Sequence, residues 1–309
     1  MSGLLAAIGG QARWVMAGGC VAALLMPGAA AALRPALPFL VSLVLAMAMA
    51  RIDLRLVLRR VAQPRVLAER LLTIAAMMPV AAMALWALGA VLPPDWRALP
   101  VLFALAPPIA SSASICFLMR YDAQRAVEVT ILATLLTPLI SPPLQVLLLP
   151  DLGDVAVGAL ALKLGAMIAG GVVLALMMKA VLGEARIAAS GRSFDGLAAC
   201  IMVVFAFPLF DGVAATMLAD PWRAAGVGIL SILLGSATMI AVLMVGERLV
   251  PRTTAGVFAV TGANRTVALY LAALPYDPQL ALFVALYQFP IYFAPLVLDS
   301  AGLEARPDR

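Results

Sequence analysis

Stretches of about 20 apolar residues, long enough to cross the hydrocarbon core of a bilayer, recur along the whole chain with short polar breaks between them. No other feature constrains the fold as much. In hydrocarbon no water pairs with backbone N–H and C=O, so each stretch must satisfy its own backbone as a helix. Ten segments are read, at about 12–28, 36–50, 66–91, 98–118, 123–149, 155–179, 194–217, 222–246, 254–274 and 279–299. Of the 309 residues, 64% are hydrophobic and only 12% are Asp, Glu, Lys or Arg, against about 25% in soluble domains. Mean hydropathy is +1.07. So few charges cannot cover a water-exposed surface, which excludes a soluble enzyme, a disordered chain and a nucleic-acid module. The expected fold is an all-α polytopic membrane protein with ten transmembrane helices. No loop is long enough for a soluble domain.

Histidine is absent, which removes His-based nucleophilic catalysis, HExxH zinc chemistry and His-ligated haem. Cys20, Cys116 and Cys200 lie far apart in apolar runs and read as small buried hydrophobes. The pI near 9.5 reflects arginine in loops on one membrane face, since no basic stripe carries interleaved aromatics.

The loops alternate in charge. Arg51, Arg55, Arg59, Arg60 and Arg65 follow the second segment, Arg120 and Arg125 the fourth, Lys179, Arg186 and Arg192 the sixth, and Arg248 and Arg252 the eighth. Arg306 and Arg309 lie in the C-terminal tail. The intervening loops carry Asp95, Asp151, Asp154, Asp220 and Asp277 with Arg34, Arg97 and Arg223. The positive-inside rule then predicts both termini in the cytoplasm, which needs an even number of spans. A bacterial inner membrane, or an organelle membrane of bacterial descent, fits that bias.

The two halves resemble each other. Tyr121-Asp122-Ala123-Gln124-Arg125-Ala126 recurs as Tyr276-Asp277-Pro278-Gln279-Leu280-Ala281, and Pro138 and Pro143 correspond to Pro290 and Pro295. Five spans per half is an odd number, so the second half enters from the opposite side. This predicts an inverted repeat, residues 1–152 and 153–309, as in many secondary transporters.

Helix breaks at membrane depth are tolerated only where protein or a wet cavity satisfies the freed backbone. Two are expected. One is Ala106-Pro107-Pro108-Ile109-Ala110-Ser111-Ser112-Ala113-Ser114 and the other is Thr261-Gly262-Ala263-Asn264-Arg265-Thr266, each in the fourth span of its half. The structural alternative for the first is a proline kink with hydroxyls bonding back to the helix. For the second, with an arginine deep in an apolar run, it is an ion pair. Glu128, in the fifth span with Thr130 and Thr134, either pairs with Arg265 or stays near the interface with Arg125 or Arg120.

At these residues the chain resembles the bile acid–sodium symporter family, within the wider group that includes arsenite-efflux and pantothenate-precursor carriers. Residues 106–138, with Thr134-Leu135-Leu136-Thr137-Pro138, are similar to that family's fourth and fifth helices, and residues 254–296 to its ninth and tenth. The resemblance implies a panel domain from helices 1, 2, 6 and 7 and a core from helices 3–5 and 8–10, with broken helices 4 and 9 crossing. Substrate would bind beside the crossing, and rocking of panel against core would alternate access. It also implies a small organic anion as substrate, with sodium.

The implied sodium ligands carry over only in part. The fourth-helix serine falls on Ser112, but the asparagine after it becomes Ala113. The fifth-helix threonine falls on Thr130, but its companion serine becomes Ala126. The ninth-helix acid falls on Val260, the amide on Asn264, and the third-helix glutamine on Ile74. Residual sodium ligands are thus Ser112, Thr130 and Asn264, and no other cofactor is expected. Arg265 opposes a cation beside it. Three readings stay open. Arg265 stands in for the cation, Glu128 supplies the missing carboxylate, or Arg265 binds the anionic substrate through its planar fork. The expected substrate set is Ser111, Ser112, Ser114, Asn264, Arg265 and Thr266. The expected ion-binding or ion-substituting set is Ser112, Glu128, Thr130, Asn264 and Arg265.

The function expected is secondary active transport, not enzymatic, with the lipid bilayer and a small organic anion as partners and no nucleic acid. An ion channel would need a continuous polar pore, whereas the polar groups cluster at two breaks. An intramembrane enzyme would need a base for Ser111, Ser112 or Ser114, and none is evident.

Overall fold

The structure is a computed structural model and describes residues 2–150 and 156–300. Among these the regular structure is helical, apart from one isolated antiparallel bridge between Pro108 and Arg265. The helices are α1 (Ser2–Gly10), α2 (Ala12–Leu25), α3 (Pro27–Ala50), α4 (Leu54–Val61), α5 (Pro64–Gly89), α6 (Ala98–Leu105), α7 (Ser112–Leu118) and α8 (Ala123–Leu148). There follow α9 (Val157–Leu182), α10 (Glu184–Ala189), α11 (Gly191–Leu209), α12 (Val213–Ala219), α13 (Pro221–Gly246), α14 (Arg252–Ala263), α15 (Ala268–Ala273) and α16 (Pro278–Ser300).

Six of them, α3, α5, α8, α9, α11 and α13, are long and apolar enough to cross a membrane. At 1.5 Å per residue their 19–26 residues span about 28–39 Å, against a hydrocarbon core of about 30 Å. A seventh candidate is the pair Gly3–Gly10 and Trp14–Leu25, bent by 86°. The chain is therefore a helical multi-span membrane protein, with six to seven candidate spans among the described residues.

Proline places many of the helix starts. Pro27, Pro64, Pro221 and Pro278 each occupy a first helical position, where the missing N–H is one that would have had no partner anyway. Inside a helix the effect differs. Pro79 removes an internal donor, and α5 responds with a π turn over Ala76–Val80. One expectation is corrected here. The second segment does not begin at 36, because α3 starts at Pro27 and runs through a 3-10 turn at Arg34–Ala36. Arg34-Pro35 reads as a loop in sequence, but the tighter turn absorbs the proline. The Arg34 charge is met by Asp211 at 3.1 Å and by the Tyr276 ring, 4.0 Å from the guanidinium carbon.

The described residues cluster into two units. One draws on those within Met1–Asp53, Ala166–Val227 and Leu271–Tyr292, the other on those within Leu54–Gly165, Gly228–Tyr270 and Phe293–Arg309. In the first, α1, α2 and α3 pack on α11. The approach is close because it is made by glycines. A Cβ on Gly9 or Gly196 would run into the facing backbone of Arg192 or Leu5 respectively, the small-residue contact common between membrane helices. Gly212, at φ +73°, precedes α12 in the left-handed region with the Tyr276 hydroxyl where a Cβ would sit. In the second unit α8 packs against α5, α6, α7 and α14.

Candidate functional site

The second unit contains both expected breaks. Helix α6 stops at Leu105 because Pro107 and Pro108 cannot donate, and Ala106 is extended at ψ 143°. Helix α14 stops at Ala263, with Asn264 extended at ψ 102°. The two extended segments run antiparallel and pair. Ile109 N–H donates to the Asn264 carbonyl at 2.9 Å, and Thr266 N–H to the Pro107 carbonyl at 2.8 Å. The Thr266 hydroxyl adds a longer bond, 3.3 Å, to the Pro108 carbonyl.

Arg265 completes this crossing from inside. Only 2% of it is exposed. Its Nε donates to the Gly262 carbonyl at 2.8 Å, Nη1 to Ala106 at 2.9 Å and Nη2 to Met77 at 2.6 Å. The planar fork thus ties the ends of α14 and α6 to the π turn of α5, all places where the regular backbone ladder is interrupted. A guanidinium is weakly hydrated and carries several fixed donors, which suits it to a buried ring of carbonyls. Next to it, Tyr270 is fully buried, with its hydroxyl 2.5 Å from the Leu105 carbonyl. The Ser141 hydroxyl lies 2.5 Å from the Tyr270 oxygen, and Gln145 Nε2 donates to Ser141 at 2.8 Å. Four consecutive carbonyls, Leu105 to Pro108, therefore have donors from Tyr270, Arg265 or Thr266. These four carbonyls thus have the partners that buried backbone groups require.

The expected serines separate. Ser111 and Ser114 are exposed, and Ser112 is wholly buried. The Ser112 hydroxyl and the hydroxyl of Thr130, 8% exposed, have no hydrogen-bond partner. Asn264 is buried, with Nδ2 donating to the Val260 carbonyl at 3.0 Å. Thr134 and Thr261 bond back to carbonyls of their own helices, the outcome that the kink alternative gave for the serines.

Glu128 finds its cations away from the crossing, so neither pairing proposed from the sequence is the one formed. It is fully buried, and Arg70, 3% exposed, grips Oε2 through Nε and Nη2, both at 2.9 Å. Arg60 Nε lies 2.9 Å from Oε1, a charge contact without hydrogen-bond alignment. Arg70 also meets Glu69 at 3.0 Å, and Glu69 meets Arg125. Arg265 is met instead by the freed carbonyls of Gly262, Ala106 and Met77. Arg70 and Tyr270 were missed from the sequence. The Glu69-Arg70 pair, a charge beyond the start of an apolar run, was the available signal. A lone tyrosine in an apolar run gave none.

No protein-family model matches this sequence, and no curated protein matches it. What the fold and site define is a helical multi-span membrane protein with two interrupted helices paired around a buried arginine.

Proposed function

We propose that the protein is a secondary active transporter that moves a small organic anion by alternating access. In this reading ten spans form two inverted five-helix repeats, 1–152 and 153–309, in a bacterial inner membrane with both termini cytoplasmic. The carrying observation is the antiparallel pairing of two broken helices at Pro107–Ile109 and Asn264–Thr266, with the Arg265 guanidinium among three carbonyls. Broken helices at depth are how transporters present backbone groups to cargo. Asp122 and Asp277, the two turn aspartates, each accept from a backbone N–H at the start of the next helix, Arg125 at 3.0 Å and Gln279 at 2.8 Å, which supports a repeat. The division into units supports a panel of helices 1, 2 and 7 and a core of helices 3–5 and 9. Pro278–Tyr292 departs from it by clustering with the panel stretches.

Among the three readings of Arg265, its burial and its three occupied bonds favour the resident cation over a substrate ligand. The anion then meets the accessible side of the crossing, at Ser111, Ser114 and Thr266. A second reading rests on the unpartnered hydroxyls of Ser112 and Thr130, which would keep a reduced sodium site.

The test is uptake into proteoliposomes of a panel of labelled organic anions, in sodium and in choline. Saturable uptake in both salts, with KM raised by Ser114→Ala or Thr266→Val, is expected. A steady unitary conductance, or no saturable uptake of any anion, would overturn the reading. Sodium dependence lost in Ser112→Ala and Thr130→Ala would select the second.

A further inference from the structure

In the second unit, α4 is an eight-residue helix, Leu54-Arg55-Leu56-Val57-Leu58-Arg59-Arg60-Val61, joined in sequence to candidate spans on both sides. Its two sides differ in chemistry. Val57 and Val61, one turn apart, are 5% and 6% exposed, and Leu54 is half-buried. They form the face that packs inward. Arg60 flanks that face and contacts the buried Glu128. The helix is thus held by Leu54, two valines and a charge, and its other residues face outward.

The outer face carries Arg55 and Arg59, one turn apart and both exposed, and Leu56 and Leu58, exposed to 49% and 57%, flank it on opposite sides. Arg65 follows, also exposed. No contact to an acidic side chain is formed by Arg55, Arg59 or Arg65 among the described residues. Two guanidiniums four residues apart stand about 5–6 Å from each other at Cβ, a spacing that lets one phosphodiester accept from both. Leu58 puts apolar surface directly beside Arg55, and a site for a free anion would gain nothing from it. A short basic helix with leucines beside its arginines has the composition of a segment lying at the headgroup level.

We propose that this face of α4 is a docking surface for the headgroup of an anionic phospholipid, with its phosphate between Arg55 and Arg59 and with Leu58, three residues from Arg55 and beside it, against the glycerol and upper acyl region. The surface requires only the membrane location, not transport.

The test titrates fluorescent short-chain phosphatidylglycerol and phosphatidylcholine onto the purified full chain in a neutral detergent. Three proteins are compared: wild type, the pair Arg55→Gln/Arg59→Gln, and a control pair Arg186→Gln/Arg248→Gln that removes the same charge from two other loops. Each basic residue near an anionic surface contributes about a five-fold change in affinity, so the α4 pair should bind phosphatidylglycerol about 30-fold more weakly. The control pair should bind as wild type, and phosphatidylcholine should bind weakly throughout. Leu58→Asn should weaken phosphatidylglycerol without changing the charge. Because all these side chains are exposed, melting temperatures without lipid should match. An α4 pair that binds like wild type overturns the proposal. So does a control pair that loses as much, which would mean diffuse surface charge, or competition by millimolar inorganic phosphate, which would mean a free-anion site. Uptake is not read, so a failed transport assay leaves this result standing.

Discussion

Replacing Arg265 by alanine removes three donors from a place where water cannot substitute for them. Hydrogen bonds to a charged group contribute about 1.5–3 kcal/mol each, so the three bonds to Gly262, Ala106 and Met77 sum to about 5–9 kcal/mol. That is the size of a whole domain's stability, about 5–15 kcal/mol. Arg265→Ala should therefore fail to yield a monodisperse protein in mild detergent. Arg265→Lys is the informative variant. Its ammonium keeps the charge but cannot span three carbonyls set at the corners of a planar fork. Losing one bond costs about 1.5–3 kcal/mol, and at about 2–4 °C per kcal/mol the melting temperature should fall by roughly 3–12 °C. The assay is thermal unfolding of the detergent-purified protein, followed by intrinsic fluorescence and size exclusion. An alanine variant melting within about 2 °C of wild type would refute the reasoning, because the carbonyls would then have found other donors at no cost.

Glu128→Gln removes the buried carboxylate from Arg70, which keeps only its contact to the half-exposed Glu69, and should destabilise by up to about 3–5 kcal/mol in chemical denaturation, whereas Glu128→Leu/Arg70→Met, which removes both charges, should recover most of that. Equal losses in the two proteins would mean that packing, not the charge pair, holds α5 to α8. Tyr270→Phe leaves the buried Leu105 carbonyl and Ser141 hydroxyl without the phenol and should cost about 1–3 kcal/mol, read from the melting temperature. Gly212→Ala forces a Cβ into the left-handed region, at about 1–2 kcal/mol, and also against the Tyr276 hydroxyl. Adding Tyr276→Phe should return part of the loss, and no return would place the whole cost in the backbone.

The sequence alone determined the class. Runs of apolar residues too long and too uncharged for water can only be membrane helices, and Pro107-Pro108 marked one place where a helix could break, but Pro142-Pro143 lie inside α8 without ending it, so proline alone did not decide which helix breaks. Local chemistry also placed the helix starts at Pro64, Pro221 and Pro278 and the second break at Gly262-Ala263-Asn264. Partners were decided by the tertiary structure. Glu128 could reach several arginines by chain distance, and only the packing of α5 on α8 selected Arg70. Arg265 looked like a charge in need of an opposite charge. The fold instead gathered carbonyls from residues 77, 106 and 262 around it, because each of those helices is interrupted there and its backbone needs a donor. Sequence spacing records which residues carry charge or break helices. Which freed carbonyl meets which donor depends on how helices far apart in the chain are brought together.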